Sequence, residues 1–184
     1  LCGGWDAQDL LAHLVVRERR PIASLGNVVG PLGGLTERAM ARQRTAGFEV
    51  LVERFRTPAP FLRLVPAIDE AMNTFELLVH HEDLRRGGPR WEPREQAPSD
   101  VDLLWKQLGR SVALLGRKLP VPTVLERSDT RARIVAKKGA APATVTGPVV
   151  ELVLFLFGRS STRDLVLDGP DEAVAALRSA ELGI

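Results

Sequence analysis

Apolar residues in the first 119 positions recur three and four residues apart, the spacing that gathers side chains on one face of a helix. A glycine-rich and proline-rich stretch at 22–35 and a polar stretch at 90–98 interrupt this pattern, and we interpret them as a loop and a linker. The pattern predicts helices over residues 5–20, 36–56, 66–86 and 99–115. The first part of the chain is therefore expected to be a helical bundle.

Residues near the predicted helix starts indicate how these helices begin. Asp6, with Asp9 three residues later, is suited to cap the first helix. Thr36 and Ser99 are expected to cap the second and the fourth helix, and Pro66 to open the third.

After Pro120 the helical period gives way to short runs rich in β-branched residues. These runs predict strands at 121–127, 131–137, 144–146 and 165–167, with helices at 149–157 and 172–180. Such an alternation is typical of a small α/β unit. We therefore predict an α+β protein, with a helical domain at residues 1–119 and a C-terminal α/β domain at 120–184.

Composition narrows the function classes. The 184 residues include 25 basic and 23 acidic side chains, and no basic run is interleaved with aromatic residues, so we expect no nucleic-acid partner. The single cysteine, Cys2, excludes an intrachain disulfide and fits a reducing compartment. No signal peptide is visible, and the apolar run at 149–157 is too short to cross a bilayer, so a cytoplasmic protein without membrane association is expected.

The candidate chemistry lies in the third predicted helix. Glu76 and His80 are four residues apart, which places a carboxylate and an imidazole on one helix face, where both can bind one metal ion. His13, on the first predicted helix, is the candidate for a third ligand. The same spacing also fits a solvated helix face, and a histidine beside an apolar stripe also fits a hydrogen-bonded core residue.

Two further residues flank this pair at helical spacing. Asn73 and Asp83 could orient the ligands through hydrogen bonds. Asp83 could instead pair with Arg86, three residues later on the same helix. Both interpretations of Asp83 stay open at this point.

Three stretches together resemble a known family: LCGGWDAQDLLAHLVVRERR at 1–20, FELLVHHEDLRR at 75–86 and GPVVELVLFLFGR at 147–159. They are similar to the mycothiol-dependent maleylpyruvate isomerase family, which has a DinB-like metal-binding domain. The resemblance implies a DinB-like helical bundle that carries a divalent metal, usually zinc, followed by a small C-terminal α/β domain. It assigns the metal to His13, Glu76 and His80, and His81 is expected to miss the ion because it points about 100° away around the helix.

The resemblance also implies that part of the first helix of the bundle precedes the sequence, which begins with leucine and not methionine. We therefore expect upstream sequence to be missing.

Two imidazoles and one carboxylate leave a zinc position open for substrate, and zinc can activate a nucleophile or polarise a carbonyl. The resemblance names mycothiol as the thiol, which would add to a cis double bond, permit rotation and leave. The expected partners are thus a small-molecule thiol and a small anionic substrate, for an isomerase or a thiol transferase. Arg17 and Arg159 are candidates to meet the anion, although Arg159 could instead cap its helix.

Other interpretations of the same residues are a zinc-dependent hydrolase that activates water without a thiol, and a metal-stabilised binding protein without turnover. A general base near the metal would favour an enzyme. The candidates for that base are Glu18, Asp83 and Arg17, each of which also fits a surface or orienting role.

Overall fold

The structure is a computed structural model that describes residues 5–19, 33–57 and 66–183. It combines helices with one four-stranded mixed sheet, which confirms the predicted α+β composition. Its contacts divide the chain into two compact units, Leu1–Arg90 and Trp91–Ile184. This division lies earlier than the predicted boundary at 119/120, because the helix at Pro98–Leu115 packs against the sheet and helix of the second unit.

The described part of the first unit is helical. Its helices are α1 (Ala7–Arg19), α2 (Gly33–Arg44), α3 (Phe48–Arg56) and α4 (Pro66–Arg85). Helix α1 packs against both α2 and α3, and its buried Ala12 and Val15 form one core cluster with Leu51 of α3. The predicted cap of α1 is confirmed. The backbone N–H of Asp9 donates to the carboxylate of Asp6 at 2.8 Å, and the backbone N–H of Asp6 donates to the carboxylate of Asp9 at 3.2 Å.

The prediction of a single helix over 36–56 is wrong, because the chain forms two helices there, α2 and α3. Gly47 separates them with φ 80° and ψ 156°, a backbone conformation that side chains with a Cβ rarely adopt. The Thr45 hydroxyl donates to the carbonyl of Arg42 at 2.9 Å, which is one of the local bonds that compete with helix continuation. Because α2 begins at Gly33, Thr36 lies inside this helix and is not its cap. Most of the loop predicted at 22–35 lies outside the described residues.

Helix α4 begins at the predicted proline and ends at Arg85, directly before the turn around Gly87. Phe75 and Val79 are both 1% exposed, so they form the core face of its second half. Leu77, His81 and Leu84 are exposed on another face. The two faces follow from the period of 3.6 residues per turn.

The second unit combines helices with the sheet. Its elements are α5 (Pro98–Leu115), β1 (Thr123–Arg127), β2 (Arg133–Lys137), β3 (Ala143–Gly147), α6 (Val149–Leu156), β4 (Val166–Asp168) and α7 (Asp171–Ser179). The strand order is β2-β1-β3-β4, in which β1 and β3 run parallel and the outer pairs are antiparallel. Each predicted strand and helix of this part is confirmed within two residues. Ala97 and not Ser99 is the N-cap of α5, with Pro98 in its first turn.

Buried apolar side chains stabilise the packing of the sheet and α6 in the second unit. Leu125 and Val145 from adjacent strands and Leu152 from α6 are all fully buried. The buried guanidinium of Arg127 binds Asp102 and Asp129 at 2.6 Å each and lies over the ring of Trp105. Throughout the described residues of both units, no helix has the length and apolar character needed to span a membrane.

Candidate metal centre

The first unit brings together the three residues that the sequence proposed as metal ligands. One ligand atom from each of His13, Glu76 and His80 lies within 4.8 Å of the other two. His80 Nε2 is 3.2 Å from Glu76 Oε2, and the rings of His13 and His80 meet in a T-shaped arrangement with centroids 5.4 Å apart. His81 is exposed and belongs to no such group among the described residues.

The helices place these side chains for simple reasons. Glu76 and His80 lie four residues apart on α4, so they project from one face, next to the buried Phe75 and Val79. His13 follows the fully buried Ala12 on α1, and its own side chain is 9% exposed. His13 and His80 are thus buried, whereas 16% of the Glu76 side chain is exposed. Partial burial of the Glu76 carboxylate is costly unless the carboxylate is paired.

The position of Asp83 supports its interpretation as a residue that orients His80. Its Oδ2 lies 3.1 Å from Nδ1 of His80, while the neighbouring Arg86 donates from Nε to Glu82 at 2.8 Å. A proton on Nδ1 that is donated to Asp83 leaves Nε2 with a lone pair directed at Glu76. Two acceptors at 3.2 Å repel each other unless a proton or a cation lies between them. The position between these two atoms is thus suited to a proton when His80 is protonated and to a cation when it is neutral.

The titration behaviour agrees with this geometry. Burial by itself would lower the pKa of His80, but its hydrogen bonds with Asp83 and Glu76 outweigh burial and raise it. The pKa of His13 is lowered to about 4, first by burial and then by the nearby His80. The pKa of Glu76 is lowered although burial opposes this, since the hydrogen bond with His80 and the charge of Arg17 stabilise the carboxylate. At neutral pH the group thus contains one carboxylate and a neutral His13.

Arg17 belongs to the same surroundings. It follows His13 by one turn of α1, and its Nη1 lies 3.9 Å from Glu76 Oε2 with the side chain 20% exposed. Arg159 lies in the second unit, where its Nη1 donates to the carbonyl of Phe157 at 2.8 Å, directly after the end of α6. That bond fits the capping alternative for Arg159. The side chains of Glu18 and Asn73, the other candidates, lie outside the described set.

The donor set fits a divalent metal such as zinc. Imidazole nitrogen and carboxylate oxygen both bind zinc at about 2.0–2.2 Å, and two oxygen or nitrogen ligands of one ion are about 3–3.5 Å apart. The separation of 3.2 Å between Glu76 and His80 already matches this, whereas binding would draw His13 closer. The carboxylate of Asp83 behind His80 is the usual arrangement that fixes a histidine ligand.

One neighbour of the site did not stand out in the sequence. The ring of Trp5 lies against His13, with ring centroids 5.3 Å apart and an interplanar angle of 51°. Trp5 precedes the first residue of α1, so the helical spacing that related the other residues does not extend to it. The signal for Trp5 that the sequence offered was a large aromatic residue directly before the Asp that caps the helix.

Comparisons of the chain with models of known protein families, with curated proteins and with solved structures found no match.

Proposed function

We propose that the chain binds one divalent metal ion, zinc in preference, through His13, Glu76 and His80. We further propose that it is an enzyme of the mycothiol-dependent maleylpyruvate isomerase type, with a DinB-like helical bundle and a C-terminal α/β domain. The observation that carries the proposal is the line from Asp83 through His80 to Glu76, with contacts of 3.1 and 3.2 Å. This line orients one imidazole and directs its second nitrogen at a carboxylate.

The residues of the chain have separate tasks in this proposal. Asp83 holds the proton of His80 on Nδ1, and Glu76 supplies one negative charge. His13 is neutral and supplies the third lone pair. A zinc ion bound by these groups would lower the pKa of a thiol or of water and polarise a carbonyl. Three protein ligands leave room for one such molecule.

The thiol is proposed to come from a small molecule. Among the described residues no cysteine belongs to the ligand group, and the sole cysteine of the chain, Cys2, lies outside them. Mycothiol is the thiol that the sequence resemblance implies. Bound as a thiolate, it would supply a nucleophile, which the described residues do not place at the site.

Arg17 supports a small anionic substrate. Its guanidinium lies beside Glu76 and is partly exposed, so it can be reached from solvent. A bound cation would compensate the charge of Glu76 and leave Arg17 to pair with a carboxylate, for which its planar fork is suited. The isomerase and transferase alternatives both need such a substrate site.

The test is metal analysis of the purified chain, followed by calorimetric titration of the zinc-loaded protein with mycothiol. We expect about one zinc per chain, heat of thiol binding, and loss of both in His13→Ala. His81→Ala is the matched control, because His81 is an exposed histidine next to a ligand, and it should retain both.

The other interpretations give different results in the same experiment. Bound zinc without any heat from mycothiol would reject the thiol-dependent enzyme and favour the hydrolase or the non-enzymatic binding protein. No zinc in a metal-replete sample would reject the whole proposal. Equal losses in both histidine variants would show that the ligands are assigned wrongly.

A further inference from the structure

The imidazole of His13 contacts two aromatic rings. The indole of Trp5 lies with its centroid 5.3 Å away at an angle of 51°, and the imidazole of His80 lies 5.4 Å away at 74°. Both arrangements belong to the tilted and edge-to-face geometries that aromatic pairs prefer. The ring of Trp5 therefore packs against the imidazole of His13.

Trp5 is itself fixed from two directions. Its half-buried side chain packs against a core cluster formed by Val16, Ala39 and Met40, which joins α1 to α2. Its backbone leads directly into Asp6, which exchanges hydrogen bonds with Asp9 at the start of α1. An indole held by core packing and by a capped helix start has little freedom to turn.

The two histidines of the site are oriented by different means. His80 is held by the carboxylate of Asp83 at 3.1 Å. Among the side chains that the structure describes, which do not include that of Asn73, none forms a hydrogen bond with a ring nitrogen of His13. A histidine ligand normally has an outer partner that fixes its ring, and the loss of such a partner weakens metal binding. For His13 the described residues offer the indole of Trp5 in that place.

We propose that Trp5 is a positioning residue that orients His13 toward Glu76 and His80, through ring packing and without contact with the metal. The inference rests on the metal site of the proposed function. It assigns the residue before the first helix a part in ligand geometry. The aromatic ring is the essential feature, since an aliphatic side chain of similar hydrophobicity can fill the core but cannot present a flat face to the imidazole.

The experiment compares Trp5→Leu and Trp5→Phe with the unchanged chain. Zinc affinity is measured by competition with a chromophoric chelator, the visible absorption of the Co²⁺-loaded protein reports ligand geometry, and the melting temperature of the metal-free protein reports packing. Trp105→Leu is the matched control, because Trp105 is also half-buried but lies in the second unit against Arg127.

We expect Trp5→Leu to bind zinc roughly tenfold more weakly and to change the Co²⁺ spectrum, with Trp5→Phe restoring most of both. Trp105→Leu should lower the melting temperature without either effect. A lowered melting temperature of Trp5→Leu with unchanged zinc affinity and unchanged Co²⁺ spectrum would overturn the inference and leave a purely structural tryptophan.

Two further results keep the test decisive. If Trp5→Leu does not fold, nuclear Overhauser contacts between the Trp5 and His13 rings in the unchanged chain replace it, and their absence overturns the inference. If the unchanged chain binds no zinc, the proposed function fails and this inference fails with it. Zinc binding by the unchanged chain with no difference in Trp5→Leu overturns the positioning role alone.

Discussion

Asp83 lies one turn beyond His80 on α4, and its Oδ2 is 3.1 Å from the Nδ1 atom of that imidazole. Both side chains are buried, with exposed fractions of 5% and 6%. In the neutral imidazole this contact favours the proton on Nδ1 and so leaves Nε2 available to a metal.

The first prediction concerns this contact. Asp83→Ala should weaken zinc binding roughly 10–100-fold, because His80 loses the group that orients its ring and raises its basicity. Asp83→Asn keeps an oxygen of the same size and should lie between the two. The measurement is zinc affinity by chelator competition. Asp168→Ala, at an exposed position in β4, is the control, and equal affinities in all four proteins would contradict the prediction.

The second prediction concerns the charge beside the site. Arg17 lies 3.9 Å from Glu76, so its guanidinium repels an incoming cation and competes for the carboxylate. At low ionic strength, Arg17→Gln should therefore bind zinc roughly threefold more tightly than the unchanged chain. This gain in zinc affinity should shrink as salt is added. Arg17→Lys keeps the charge and serves as the control. A tenfold loss of zinc affinity in Arg17→Gln would show that Arg17 supports the ligands and does not oppose the cation.

The third prediction concerns the break between α2 and α3. A Cβ at Gly47 would meet no atom within 4 Å, so Gly47→Ala adds only backbone strain, which should cost about 1–3 kcal/mol of unfolding free energy. Gly109 lies inside α5, where a Cβ would approach Ile134 at an ordinary 3.5 Å. Gly109→Ala should therefore raise the unfolding free energy by about 0.5–1 kcal/mol. Urea unfolding of both variants measures these changes, and effects of the same sign would refute the distinction.

The fourth prediction is a pH dependence in the second unit. The hydrogen bond with Arg127 holds the pKa of Asp129 at about 2, below its ordinary value of 3.8. A depressed carboxylate pKa contributes stability at higher pH, and this contribution is lost as the pH falls below about 4 toward 2. Asp129→Asn should flatten the fall of melting temperature with pH in that window. Asp168→Asn is the control, and identical pH profiles for Asp129→Asn and the unchanged chain would contradict the prediction.

Sequence reasoning worked best where the information is local. The pairing of Glu76 with His80 follows from one helix period, and the short β-branched runs after Pro120 were recognised as strands because turns separate them. The break at Gly47 was missed because the apolar spacing continues across it, and only the backbone angles show that the helix cannot.

The remaining features depend on tertiary packing. His13 comes from a different helix, so the residues alone offered it only as a candidate third ligand, and its assignment to the metal came from the family resemblance. The contact of Trp5 with His13 crosses from the chain before α1 into the helix. The assignment of α5 to the second unit depends on which surface it packs against, because an amphipathic helix is compatible with either neighbour.

The ligand group joins α1 to α4, which are far apart along the chain and have α2 and α3 between them. An ion held by His13, Glu76 and His80 would therefore act as a removable cross-link that closes this whole segment into a ring. Closing a long loop restricts the unfolded chain more than the folded one, as a disulfide does. A chain whose only cysteine is Cys2 would thus obtain, from a metal, the kind of topological restraint that secreted domains obtain from sulfur.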